Sequence, residues 1–115
     1  MNFKNASEWA STLKALAHPT RLQIVAELLK GTKCVTDIQD LLPASQANIS
    51  QHLTVLRHAR LVDFSQSGAQ RCYFVCQPEL TAGILQLLGG EVVYPVAPPD
   101  RCCLSVHQPR ENPGE

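Results

Sequence analysis

Uncharged polar side chains cover most of one face of the segment 45–58. Its apolar residues Ile49, Leu53 and Leu56 recur at the i, i+4, i+7 spacing of one helical edge, which predicts an amphipathic helix. Amides and hydroxyls match the base edges in a DNA major groove, whereas Lys and Glu fill most solvated faces. A plain polar surface helix is the alternative interpretation. The candidate contact residues are Ser45, Gln46, Asn48, Ser50, Gln51, His52 and Arg57, together with Arg71 from a later segment.

Cysteines at positions 34, 72, 76, 102 and 103 are the other residues that could carry chemistry. Their odd count, and a first segment without the apolar core of a secretory signal, argue against a disulfide framework. Cys102 and Cys103 are poor partners for each other, since neighbouring Cα atoms lie about 3.8 Å apart and disulfides prefer roughly 4.4–6.8 Å. Cys72 and Cys76 share a face of a predicted strand and are interpreted as small core residues.

Apolar periodicity predicts four further helices, over 6–17, from Pro19 to about Lys30, over about 35–42, and over 78–88. Pro19 suits the first turn of the second helix, which makes His18 a turn or cap residue. Ser45 is a natural N-cap for the polar helix, because its hydroxyl can accept from a free backbone N–H. Cys34 stands at the N-cap of the third helix, where a thiol is a weak acceptor.

Two segments, 61–66 and 71–76, are rich in apolar and β-branched residues and flank a loop that contains Gly68. This pattern predicts a β-hairpin. A pair of short helices joined at Pro43-Ala44, followed by a hairpin, is the order of a winged helix-turn-helix. The predicted fold is therefore mainly α with a small hairpin, in the order α-α-α-α-β-β-α. Arg71 would lie near the hairpin tip, and the apolar edges of the first and last helices would form a dimer seam.

Length and charge are compatible with this architecture. The 115 residues, 44% of them hydrophobic, suit one small domain over 1–90, followed by a Pro-rich tail over 91–115 that carries the vicinal cysteines. Residues 1–78 carry eight Lys and Arg against five Asp and Glu, whereas residues 79–115 carry two against five. A mildly basic body permits nucleic-acid binding without demanding it. The apolar runs are too short for a membrane span, so a cytoplasmic protein is expected.

Three stretches together resemble the ArsR/SmtB-type transcriptional repressors of bacteria and archaea. They are residues 13–22 (LKALAHPTRL), residues 44–53 (ASQANISQHL) and residues 56–62 (LRHARLV). The likeness extends over roughly residues 6–88. It implies a homodimer that binds a double-stranded operator and releases it when a metal ion, a metalloid or a redox signal acts on the protein.

The resemblance also bears on the effector. The zinc-type site on the last helix of the family looks absent, because residues 78–88 hold no His and one carboxylate, Glu79. The arsenic-type Cys-Val-Cys-Asp pattern is similar to residues 34–37, which keep the first thiol, Cys34, and lose the second. Other members place a vicinal pair near the C-terminus, as Cys102 and Cys103 are placed. The implied inducer is As(III) or Sb(III), held by these three thiolates or with a strand cysteine in place of Cys34. No constitutive cofactor is implied.

Other functions remain open at this point. The same thiols could respond to an oxidant or a persulfide instead of a metalloid. A winged helix that binds another protein and no DNA is a second class. An enzyme is disfavoured, because the sequence lacks a carboxylate pair, a nucleophile elbow and a phosphate-binding loop.

Overall fold

Five helices and a three-stranded antiparallel sheet make up the computed structural model, which describes residues 5–89. In chain order the elements are α1 Ala6–Leu16, α2 Pro19–Leu28, β1 Lys33–Cys34, α3 Val35–Leu41, α4 Gln46–His58, β2 Val62–Ser67, β3 Gln70–Val75 and α5 Pro78–Leu87. This order confirms the predicted winged helix-turn-helix. Cys102 and Cys103, with the rest of the predicted tail, lie outside the described residues. Between residues 5 and 89, no helix has the length and apolar character needed to cross a membrane.

The helix starts follow the predicted caps. His18 Nδ1 accepts a hydrogen bond from the Thr20 backbone N–H at 3.1 Å, and Pro19 is the first residue of α2. Ser45 Oγ accepts from the Asn48 N–H at 3.2 Å at the start of α4. Each cap satisfies a backbone donor that the first turn leaves without an intrahelical partner.

The end of α4 bends the chain sharply into the hairpin. The Leu61 N–H donates to the Leu56 carbonyl at 3.0 Å, and the Arg60 N–H donates to the Arg57 carbonyl at 2.9 Å. This is the Schellman arrangement, in which the residue after the cap adopts a left-handed conformation. Arg60 holds that position with φ of +63°. A side chain there costs about 1–2 kcal/mol, which a glycine would avoid.

The sheet contains one strand more than the sequence predicts. β3 lies in the middle, between β2 and the two-residue β1, with Lys33 opposite Tyr73 and Cys34 opposite Cys72. A strand of two residues is too short to show an alternating pattern, so its pairing depends on contacts far along the chain. β2 and β3 join through a two-residue loop whose first member, Gly68, has φ of +63°, as a type II′ turn requires.

The core forms where α4 packs on the other helices. Ile49, Leu53 and Leu56 have no exposed surface, which confirms the predicted apolar edge of α4. The apolar edges of α1 and α5 behave differently and face outward. The exposed fractions are 42% for Trp9, 55% for Leu13, 43% for Leu80, 89% for Leu87 and 68% for Leu88.

Candidate nucleic-acid interface

A polar cleft of about 470 Å³ opens between α4, the start of α3 and the hairpin, which we call the wing (residues 62–75). One wall is formed by α4 and α3, and the other by the strands and tip of the wing. Amide and hydroxyl groups predominate in its lining. The lining residues are Val35, Thr36, Gln46, Ser50, Thr54, Gln66, Ala69, Gln70, Arg71 and Tyr73.

The polar face of α4 is presented largely as the sequence predicts. Gln46, Asn48 and Gln51 are exposed, and Ser50 is half-buried at the cleft. Thr54 Oγ1 donates to the Ser50 carbonyl at 2.9 Å, so its hydroxyl proton is engaged within the helix. Ser45 is exposed at the N-cap. The side-chain amides of this face each offer a donor and an acceptor, as does the Ser50 hydroxyl at the cleft.

His52 departs from this outward set. Its ring is half-buried and lies against His18, with 4.4 Å between ring centroids. Arg21 Nη1 lies 3.3 Å from His52 Nδ1, and Arg21 Nε donates to the Ala15 carbonyl. Arginine can only donate, so Nδ1 accepts and the His52 proton lies on Nε2. The predicted base-contacting residue thus links α4 to the junction of α1 and α2.

The environment of His52 favours its neutral form. Desolvation is the main cause that lowers the pKa of His52, and electrostatic interaction with His18 and Arg21 lowers it further. Protonation would place a hydrogen on His52 Nδ1, so that this atom could no longer accept from Arg21. It would also bring two positive charges together.

Two arginines meet at the wing. Arg57, near the end of α4, pairs through Nε with Asp63 Oδ1 at 3.0 Å. Its guanidinium carbon lies 4.6 Å from the centre of the Phe64 ring, and that of Arg71 lies 4.4 Å from the same ring. Cation–π contacts of this kind hold both guanidinium groups beside the cleft. The wing therefore carries a positive edge, as the position of Arg71 in the hairpin predicts.

Two thiols neighbour the cleft lining along the chain, because Cys34 precedes Val35 and Cys72 follows Arg71. Cys34 Sγ and Cys72 Sγ are 2.7 Å apart and share a hydrogen bond between β1 and β3. That bond, with desolvation and the charge of Asp37, raises the pKa of Cys34 to about 11. The Asp37 carboxylate also accepts from the Cys34 N–H at 3.2 Å, which supplies half of a capping box. Cys76 is buried, as the sequence predicts.

Sequence reasoning missed the pairing of Cys34 with Cys72, which lie 38 positions apart. Cys34 was predicted to share a site with Cys102 and Cys103, which lie outside the described residues. Among residues 5–89 there is no group of three or more His, Cys, Asp or Glu side chains that could hold a metal ion. The described part of the chain thus offers a two-sulfur site.

Known proteins are similar to this chain in sequence and in fold. The family model described as bacterial regulatory protein, arsR family, matches residues 18–63. The biofilm growth-associated repressor of Agrobacterium fabrum is 40% identical over 61% of this chain and 60% of its own length. The chain spans little more than half the length of this and the next curated relatives, 54–60%. The transcriptional repressor PagR of Bacillus anthracis is 34% identical over 76% of this chain and 88% of its own.

Solved structures also have a fold similar to that of this chain. HlyU from Vibrio cholerae superposes with a TM-score of 0.67 at 33% identity, covering 74% of this chain and 91% of its own. A homodimeric winged helix-turn-helix DNA-binding domain from Mycobacterium bovis gives 0.68 at 26% identity, covering 77% and 86%. The curated relatives are described as repressors and the Mycobacterium bovis protein as a DNA-binding domain, which agrees with the prediction that the chain is not an enzyme.

Acidification should destabilise the contact between His52 and Arg21. A histidine whose folded pKa is lowered contributes stability above its unfolded value, about 6.5, and loses it as the pH falls through the folded value. We expect the thermal midpoint of the wild type to fall between about pH 7.5 and about pH 5.5. The fall should be smaller for His52→Gln, measured by circular dichroism.

Gln51→Ala is the control, since it changes the exposed neighbour of His52 on the same helix and removes no titratable group. Its midpoint should follow the wild-type pH dependence. A His52→Gln variant as sensitive to acid as the wild type would contradict the assigned role of His52.

Proposed function

The chain belongs to the arsR family of bacterial regulatory proteins, and we propose that it is a homodimeric, cytoplasmic repressor that binds double-stranded operator DNA through α4 and the wing. The observation that carries this proposal is the shared cleft, in which the amides and hydroxyls of α4 face the guanidinium group of Arg71. Neutral hydrogen-bonding groups on a helix and cations beside it are the two components that sequence-specific DNA binding requires.

The two components have separate tasks. Gln46, Asn48 and Gln51 carry side-chain amides, which pair with adenine through one donor and one acceptor in the major groove. Arg71 and Arg57 would contact phosphates. Arg57 uses Nε for Asp63 and keeps its Nη donors for a phosphate. His52 helps to hold α4 in position, because its imidazole contacts Arg21 of α2.

Two substitutions should separate base readout from phosphate contact. Gln51→Ala should lose about 1–3 kcal/mol of discrimination between the preferred duplex and a mutated one. Arg71→Gln should weaken binding to all sequences and reduce the slope of log affinity against log salt by about one. Both are measured by fluorescence anisotropy at several salt concentrations, with the duplex that the protein enriches from a random-sequence pool.

Gln23→Ala is the matched control, because Gln23 is exposed on α2 outside the cleft lining. Binding that does not respond to salt would contradict the electrostatic component. Failure to bind any duplex at low salt would favour the alternative of a winged-helix module that binds another protein.

The dimer that we propose uses the outward apolar edges of α1 and α5. A groove of about 820 Å³ runs between these helices and the end of α4, with Trp9, Leu13, Leu80 and Ile84 as its apolar lining. Contiguous apolar surface of this kind is uncommon on monomers and marks interaction sites. A second copy can cover it by two-fold symmetry, with each helix packing on its counterpart. The Mycobacterium bovis domain, which has the same fold, is homodimeric.

Charge placed in this seam should prevent dimerisation. Leu87 is 89% exposed, so Leu87→Glu leaves the fold of the protomer intact and puts a carboxylate into the proposed apolar interface. We expect a dimer for the wild type and a monomer for Leu87→Glu by sedimentation velocity. Leu41→Glu, at a 51% exposed leucine of α3, should remain dimeric. A dimeric Leu87→Glu variant would contradict this seam.

We propose that a thiophilic metalloid, As(III) or Sb(III), is the inducer. The support is the pair Cys34 and Cys72, whose sulfur atoms lie 2.7 Å apart. Soft ions prefer thiolate ligands. A site with three thiolates needs a further sulfur, which Cys102 or Cys103 would supply. Binding would then draw that segment to the first turn of α3, which is the first helix of the helix-turn-helix.

Removal of the vicinal thiols should abolish the response to arsenite. In Cys102→Ser/Cys103→Ser, arsenite should no longer release the duplex, whereas it should release the wild type. Each protein is compared with its own affinity without arsenite, and antimonite, zinc and a persulfide donor are titrated in parallel. Release that persists in the double variant would exclude the vicinal pair from the inducer site.

A further inference from the structure

The contact between Cys34 and Cys72 joins two elements with different roles. Cys34 is the last residue of β1 and the N-cap of α3, whereas Cys72 lies in β3, next to Arg71. The two residues are directly opposite each other in the antiparallel register. Both are half-buried, so a small reagent can reach them from solvent.

We propose that Cys34 and Cys72 form a reversible intramolecular disulfide when the protein reacts with a hydroperoxide, and that this bond weakens DNA binding. The effect on DNA rests on the proposed function, whereas formation of the bond does not. The two thiols supply two electrons to the peroxide. One sulfur attacks the O–O bond, becomes a sulfenic acid and releases an alcohol or water. The second sulfur displaces the sulfenic oxygen as water and closes the S–S bond.

The geometry is complete for this reaction without any other residue. Directly paired Cα atoms of antiparallel strands lie about 4.5–5.5 Å apart, within the range of roughly 4.4–6.8 Å that disulfides span. The sulfur atoms are 2.7 Å apart, so bond formation requires a small approach and no rearrangement of the strands. A metalloid site needs a third thiolate, but a disulfide needs two sulfurs. The described pair therefore fits oxidation by itself.

The bond would tie the two walls of the cleft together. Val35 and Thr36, next to Cys34, line one wall, and Arg71, next to Cys72, lines the other. The chain between the two cysteines contains α3, α4 and β2. The disulfide would therefore close a covalent loop that includes both helices of the helix-turn-helix. The wing could then no longer adjust to phosphates independently of α4. We expect the oxidised protein to bind about tenfold more weakly, within the usual range of coupling between two sites.

The test uses the full chain with Cys102→Ser/Cys103→Ser, which leaves three thiols, at positions 34, 72 and 76. After treatment with hydrogen peroxide, the protein is alkylated and digested without reductant. Mass spectrometry should find the peptides of Cys34 and Cys72 linked, with Cys76 alkylated, in a species that runs as a single chain on a denaturing gel. Affinity for the enriched duplex should fall about tenfold and return with dithiothreitol.

Single variants provide the controls, each compared with its own reduced form. Cys34→Ser and Cys72→Ser should each lose the link and the change in affinity. In each single variant, dimedone should trap a sulfenic acid at the cysteine of the pair that remains. Absence of the linked peptides, or a linked protein that binds as tightly as the reduced one, would overturn the proposal. If the reduced protein binds no duplex, the DNA-binding function fails, and the peptide map still decides whether the disulfide forms.

Discussion

The burial of one narrow edge of α4 is the constraint on which the rest of the structure depends. Ile49, Leu53 and Leu56 have no exposed surface, and burying each such side chain contributes about 1.5–3 kcal/mol. Their spacing leaves one orientation in which all of them reach the core. The amide side chains of Gln46 and Gln51 must then face solvent. Burial of this apolar edge therefore both stabilises the fold and directs the amide side chains of α4 toward solvent.

The central strand β3 carries the second constraint. It pairs with β2 to form the wing and with β1 at the start of α3, so the helix-turn-helix and the wing are connected through one strand. Arg71 and Cys72 are neighbours on that strand. The residue that would contact phosphate is thus next to a cysteine of the proposed disulfide, and a cross-link at Cys72 would restrain the strand that carries Arg71.

Much of this protein could be predicted locally. The period of the apolar residues, the caps at His18 and Ser45, and Gly68 in the hairpin loop act over a few positions along the chain, and the structure confirms each of them. Contacts between residues that are far apart in the chain could not be predicted in this way. The imidazole of His52 is a group that can hydrogen-bond to a base. Its contact with Arg21, however, follows from how α2 packs on α4.

The sequence by itself determined the element order, the face of α4 that is buried, and a cysteine content suited to soft-ion or redox chemistry. The tertiary structure decided which thiols meet. β1 is two residues long and has no period of its own, so the pairing of Cys34 with Cys72 arises when β3 is positioned by the hairpin and the core. Contacts between residues 38 positions apart depend on the packing of everything between them, and no local pattern records that packing.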